Sequence, residues 1–240
     1  SIGAGKIALM KLGKENGFEV DTTENSALFT EKNLQKYSAI VFLNTTGDIL
    51  SNTQQMAFER YIQAGGGWVG IHAATDTEYK WQWYNKLAGA YFNGHPSNPN
   101  VQQGDVHLVD GNHISTKEFP KTWKVKDEFY DFKDFNKQVK VLLTIDEKSY
   151  KGGKMGDYHP MSWYHEYDGG KAFYTNFGHE DATFLDPVFL NHLKGGLQYV
   201  MTSKLDYAKA RPEENRFTKK VLASKLDEPT ELVVLDDHRV

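Results

Sequence analysis

Gly65-Gly66-Gly67-Trp68-Val69-Gly70-Ile71-His72-Ala73-Ala74-Thr75-Asp76 decides the fold. Trp68–His72 is an apolar strand that ends abruptly among small residues. That pattern marks a buried parallel strand running into a sharp turn, which presents one side chain at the carboxyl edge of a sheet. The residue presented is His72, and Asp76 lies four positions on, within reach of the same crevice. In open α/β sheets this edge is where ligands bind.

Working outward, the segment before the glycines opens with Ser51 as N-cap and Gln54 as its capping-box partner. The helix it starts carries Ala57, Phe58, Tyr61 and Ile62 on one face. Ala39–Leu43 is a second continuous apolar strand, and Thr30 caps a short helix over residues 30–37. Lys6–Glu15 reads as a helix with Ile7, Leu9, Met10 and Leu12 as its apolar stripe, stopped by Gly17; Phe18–Asp21 reads as a short strand. This β–α–β alternation predicts a parallel sheet with helices on both faces. The second half changes character: Val106–Asp110, Trp123–Tyr130, Val139–Ile145, Met161–Tyr167 and Ala172–Phe177 read as strands on short links, with Asp168-Gly169-Gly170 as a hairpin turn. Pro187–Val200 reads as a closing helix. The expected fold class is therefore α/β: a three-layer, doubly wound, mainly parallel sheet with an added antiparallel hairpin region. A doubly wound domain opens on a strand and this chain opens on a helix, so the first strand is expected to lie ahead of Ser1. Residues 1–203 form the expected domain, 204–217 a linker, and 218–240 the start of a further domain with strand-like pieces at Thr218–Ala223 and Glu231–Leu235.

Composition narrows the function classes. The chain has 240 residues, no cysteine and a net charge of −4. Thiol catalysis and thiolate metal sites are excluded, and the acidic balance argues against a nucleic-acid partner. No apolar run is long enough to span a membrane. Five Trp, thirteen Tyr and fourteen Phe supply a large core, and also faces on which sugar rings pack.

Three histidines stand where chemistry is expected. His72 ends one strand, and His179 with Glu180 ends another in Phe173-Tyr174-Thr175-Asn176-Phe177-Gly178-His179-Glu180; His159 enters the strand that begins His159-Pro160. Together His72, His159 and His179 could bind a divalent ion such as zinc, or with Asp76 and Glu180 perform acid–base catalysis. No local pair has a dedicated ligand spacing, so the expectation rests on convergence at one edge. His165, by contrast, reads as a half-buried structural histidine. Weaker signals come from Thr46 and Asp48 after the Ala39 strand, from His95 in a long loop, and from Asp127-Glu128 in an aromatic-rich strand.

In their order, Phe42–Asp48, Gly65–Ala74, Gly89-Ala90-Tyr91-Phe92 with His95-Pro96, Asp127-Glu128-Phe129-Tyr130, His159-Pro160 with Trp163, and Phe173–His179 resemble the ThuA-like (trehalose utilisation) family. The resemblance implies a fold similar to class I glutamine amidotransferases, with His72 at the turn where those enzymes carry a cysteine nucleophile, so glutaminase activity is not expected. It implies a sugar substrate, a disaccharide or keto-sugar, with Thr46, Asp48, His95, Glu128 and Trp163 as substrate-binding residues. Residues 217–240 resemble the opening strands of sorbosone/glucose dehydrogenase β-propellers. That implies a downstream dehydrogenase domain using pyrroloquinoline quinone beyond this chain, and a periplasmic or secreted location. The alternative function is a carbohydrate-binding or scaffold domain whose histidines hold loops; convergence of the histidines within a few Å separates the two.

Overall fold

The structure, a computed structural model, describes residues 1–202 and 204–211. Among these residues five α-helices and nine strands run in the order α1 (Ile2–Asn16), α2 (Glu31–Leu34), β1 (Ala39–Leu43), α3 (Asn52–Gln63), β2 (Gly67–Ile71), α4 (Gln82–Ala88), β3 (Tyr91–Gly94), β4 (Val101–Leu108), β5 (Thr122–Glu128), β6 (Asp131–Lys133), β7 (Lys140–Asp146), β8 (Pro160–Tyr167), β9 (Gly170–Thr175) and α5 (Pro187–Val200). The expected strands at 218–223 and 231–235, and the domain they would begin, lie outside the described residues.

Seven strands form one sheet in the order β1-β2-β9-β8-β7-β4-β5, and β3 pairs with β6 separately. β1, β2 and β9 are parallel neighbours; every pairing from β9 to β5 is antiparallel. Asp168 and Gly169, both at positive φ, form the two-residue link between β8 and β9 that the sequence marks as a hairpin. The α/β class holds, and the hairpin region contributes more than half of the sheet.

Alternation along the strands splits the core into two layers. On one face Val69, Ile71 and Phe173 pack with Leu9 and Leu12 of α1 and Phe189, Leu193 and Leu197 of α5. On the other, Trp68, Ala172 and Tyr174 pack with Phe58, Tyr61 and Ile62 of α3 and Tyr84 and Leu87 of α4. The capping box of Ser51 and Gln54 is formed, and Thr30 caps α2 through the Asn33 amide. Two expectations fail locally. The buried face of α1 is Ala8, Leu9 and Leu12, while Ile7 and Met10 are exposed. The helix begins four residues earlier than the stripe suggests, and Gly5 and Gly13 give it close approach to Leu43 and Phe18, which turns the 7/10 side outward. Residues 18–21 form no strand, having no ladder partner; Phe18 and Val20 pack instead against the α1 core.

The sheet curls, and this decides the site. β5 stands four places from β9 in the ladder order, yet the Asp127 carboxylate at its end accepts the amide of Gly178, just past β9. Register shifts between β7 and β8 supply the bending, since an unpaired extra residue raises the local twist. Counting directions through the antiparallel pairings, β2, β5 and β9 all end at one rim.

Burial of neutral histidine makes the fold sensitive to acid. His192 on α5 is fully buried, its Nδ1 3.1 Å from the Ser115 carbonyl and its Nε2 2.9 Å from Ser162 Oγ. Burial pushes its pKa down to about 4, against a smaller upward pull from the Ser115 hydrogen bond. The folded state thus binds fewer protons than the unfolded one between pH 4 and 6.5. Stability is intact above pH 6.5 and declines as pH falls towards 4, by up to roughly 3 kcal/mol for this group. Denaturant midpoints for wild type and His192→Gln across pH 4–7 check this: the variant should show the shallower decline, and parallel curves would refute the assignment.

Candidate functional site

His72 is the first residue past β2 and sits at φ 49, a conformation uncommon for residues with a side chain. It is 2 % exposed. Its Nδ1 is 2.6 Å from the carbonyl oxygen of Asn176. A carbonyl only accepts, so Nδ1 carries a proton and Nε2 presents its lone pair in the neutral ring. That Nε2 lies 3.2 Å from Glu128 Oε2 and 3.2 Å from His179 Nδ1, and His179 Nδ1 is 3.1 Å from Glu128 Oε2. Three ligand atoms from the ends of β2, β5 and β9 thus form a nearly equilateral triangle.

Glu128 is almost fully buried. Its Oε1 accepts from Asn100 Nδ2 at 2.8 Å and lies 3.6 Å from His95 Nδ1. Burial pushes its pKa up, but the hydrogen bond from Asn100 and, when the rings are protonated, the hydrogen bond from His72 and the charges of both histidines outweigh that and hold it down at about 2. The carboxylate is therefore the anionic corner of the triangle. His95 Nδ1 is 2.7 Å from the Pro96 carbonyl, which fixes the proton there and leaves Nε2 as the free nitrogen. Tyr130 forms one wall: its ring centroid is 4.2 Å from His72, 4.2 Å from Phe92 and 6.1 Å from His95. Burial, with the nearby charges of Glu128 and Asp76, pushes its phenol pKa well up, so it stays a neutral hydroxyl. His179, about a third exposed, and His95 give the triangle its access to solvent.

Asp127 sets the geometry from beneath. Fully buried, it accepts from the amides of Glu128, Gly178, His179 and Glu180 and from Thr183 Oγ1, at 2.8–3.3 Å. One carboxylate so ties the end of β5 to the turn after β9. Gly178, at φ 117, makes that turn accessible, and a Cβ there would crowd Ile71 and Phe184 at 3.0 Å.

The structure joins His72 and His179 as expected, and adds Glu128 and His95, which the sequence marks only as substrate-binding. His159 does not join them. It is fully buried behind Tyr130, with Nε2 2.8 Å from the Tyr130 carbonyl and Nδ1 2.9 Å from Glu147 Oε1. The aromatic run at 129–132 comes between, because β6 diverts the chain after Glu128. Trp163 is not available to a substrate: it is fully buried, donates to the Ala88 carbonyl, and packs on Tyr174 and Phe132. Asp76 accepts from the Tyr79 hydroxyl and stands behind the wall, acting on Tyr130 only through its charge. Glu180 reaches the centre by its backbone amide alone. Thr46 and Asp48 are exposed on the loop after β1; Asp48 pairs with Lys80 at 3.4 Å and neither is bonded to the triangle. His165 is structural, its Nε2 3.0 Å from the Lys86 carbonyl. The sequence singles out neither Asn100 nor Asn176, since both act through long-range contacts, Asn100 on Glu128 and Asn176 on His72 and the Tyr130 amide.

The triangle fits an ion. A tetrahedral ion about 2.0–2.1 Å from each of three N/O ligands places those ligand atoms about 3.3 Å apart, close to the 3.1–3.2 Å seen here. Two imidazole nitrogens and one carboxylate oxygen on one face, with an open side, are a ligand set for zinc or a non-haem divalent metal. The Asn176 carbonyl, which accepts from His72 Nδ1, and the Asn100 amide, which donates to Glu128, orient two of the three.

Comparison with known proteins agrees with the fold. A ThuA-like protein from Bacteroides uniformis is 27% identical, with a TM-score of 0.71 over 86% of this chain and 87% of its own. One from Parabacteroides merdae is 22% identical, with a TM-score of 0.68 over 85% and 86%. Among curated proteins none matches. The family model described as ThuA, trehalose utilisation, matches residues 1–200, and the chain belongs to that family.

Proposed function

We propose that this domain is a sugar-processing enzyme acting on a disaccharide or keto-sugar at His72, Glu128 and His179, with a divalent ion held among them. The observation that carries the reading is the triangle. Glu128 Oε2 can only accept, the proton on the neutral His72 ring is spent on Asn176 so that its Nε2 also accepts, and His179 Nδ1 closes the triangle at 3.1–3.2 Å from both. A bound ion would supply Lewis-acid polarisation of a sugar carbonyl or hydroxyl. The chain's own groups do the rest. His95, whose Nδ1 lies 3.6 Å from Glu128 Oε1 and faces the Pro96 carbonyl, keeps Nε2 to move a proton on a sugar hydroxyl. Asn100 and Asn176 hold the ligands in orientation, and Tyr130 with Phe92 excludes water from one side. A glutaminase reading has no nucleophile, since the turn position is His72 and the chain has no cysteine.

A carbohydrate-binding or scaffold role is the second reading; the close approach of the two imidazoles favours chemistry over it. Residues 217–240 support a dehydrogenase propeller on the same polypeptide, and with it a periplasmic or secreted setting. Elemental analysis combined with a turnover screen over disaccharides and keto-sugars tests the proposal. The expected result is turnover that a chelator removes, that a divalent ion restores, and that His179→Ala lacks. Turnover unchanged in His179→Ala, or none on any sugar of either class, would sink it.

A further inference from the structure

Next to the first centre, but facing away from it, Asp131, Glu147 and His159 bring three further ligand atoms within 4.8 Å of one another. Asp131 directly follows Tyr130 and opens β6; Glu147 follows β7; His159 precedes β8. His159 is fully buried and Asp131 is 2 % exposed. The tautomer of His159 is fixed, because Nε2 lies 2.8 Å from the Tyr130 carbonyl and must donate to it. Nδ1 then presents a lone pair to Glu147 Oε1 at 2.9 Å, with the Tyr150 hydroxyl 3.1 Å away. A lone pair facing a carboxylate oxygen at that distance is repulsive, so the pair is bridged either by a proton, as an imidazolium, or by a metal cation.

Asp131 adds an independent observation. Its Oδ1 accepts the Lys154 amide at 2.9 Å, but its Oδ2 is buried with no hydrogen-bond partner. An unpartnered carboxylate oxygen in the interior is rare and costly. The Lys154 side chain is exposed, and its charge is the weakest of the influences on this carboxylate, although its backbone amide is bonded to it. Two carboxylates and one imidazole therefore meet with no basic side chain among them.

We propose that Asp131, Glu147 and His159 hold a second divalent cation, bound through Asp131 Oδ2, a Glu147 carboxylate oxygen and His159 Nδ1. The donor set, two hard oxygens and one imidazole, suits zinc or manganese. Its burial makes it structural. The ion ties the loop between β7 and β8 to β6, where Lys154 and Met155 already bond to Asp131 and Glu147. That holds the Tyr130 carbonyl and ring, and through the ring the back of His72. The site stands whether or not the first triangle carries an ion.

The test is zinc or manganese uptake by chelator-stripped protein, read by elemental analysis after desalting and by melting temperature. His179→Ala, which leaves this site untouched, should still take up one equivalent. At about 100 times the dissociation constant, that ion should raise its melting temperature by about 5 °C or more. Adding Glu147→Gln or Asp131→Asn should abolish both the equivalent and the shift. Wild type should hold two equivalents; one equivalent in both wild type and His179→Ala would still support this site while removing the ion from the triangle. No uptake by His179→Ala, or uptake unaltered by Glu147→Gln, would overturn the proposal in favour of a buried imidazolium–carboxylate pair. Should Asp131→Asn fail to fold, the partly exposed Glu147 and the His179→Ala measurement decide.

Discussion

Glu128→Gln should weaken divalent-ion binding at the triangle by at least about 100-fold, because loss of outer partners alone costs about 10–100-fold in metal sites and this change removes a ligand. The substitution keeps the volume and the contact with Asn100, so the effect isolates charge. In the wild type the carboxylate is held ionised by His72, Asn100 and His179 even though it is nearly fully buried. A neutral amide in its place leaves two imidazole nitrogens facing each other at 3.2 Å with no anion. Sugar turnover should fall in step with ion occupancy, and saturating metal should restore part of it. Competition against a chromophoric chelator gives the affinity, and a denaturant melt in parallel gives stability. A change in affinity below about tenfold would show that Glu128 is no ligand and would leave the histidines as a hydrogen-bonded pair.

The parts of this site legible in the sequence are those that local pattern controls. An apolar strand closing on small residues places His72 at a rim, and the same logic places His179. Both rest on the period-two burial of a parallel strand and on a turn that follows directly. Glu128 is different. It ends the outermost strand of an antiparallel region, and only the curl of the whole sheet carries it back to β9. Nothing near Glu128 in sequence encodes that curl; it comes from register shifts between β7 and β8, some fifteen residues further on and later. His159 fails for the converse reason. Its position before a strand resembles that of a rim residue, and because β8 runs antiparallel to β9 its start does lie at the rim where β9 ends, but Tyr130, just ahead of β6, comes between it and His72. Trp163 shows the limit of aromatic residues as sugar signals, since a central strand buried on both faces absorbs them into the core. The α1 stripe misleads because close approach at two glycines, which hydrophobic periodicity ignores, rotates the helix.

Asp127→Ala should cost about 3–5 kcal/mol of stability, the range for removing one partner from a buried charged network. Four backbone amides and the Thr183 hydroxyl converge on this carboxylate in a place with no solvent. Without it these donors are buried and unmatched, each at a cost of about 1–3 kcal/mol before relaxation. For a domain of this size that corresponds to a melting temperature lower by about 6–20 °C. The same residue also positions the site, because it fixes the His179 turn against the end of β5. Thr183→Val separates the two effects. It removes one of the five donors and leaves the His179 amide bonded, so stability should fall by only about 1 kcal/mol while ion affinity holds. Asp127→Asn should lie between, keeping one acceptor oxygen and the side-chain volume, with affinity reduced about 10–100-fold, as for other outer partners of metal ligands. Melting temperature and chelator competition on the three variants provide the check. If Asp127→Asn kept full affinity while losing as much stability as Asp127→Ala, the carboxylate would be a fold anchor only, and the triangle would owe its geometry to the strand ends alone.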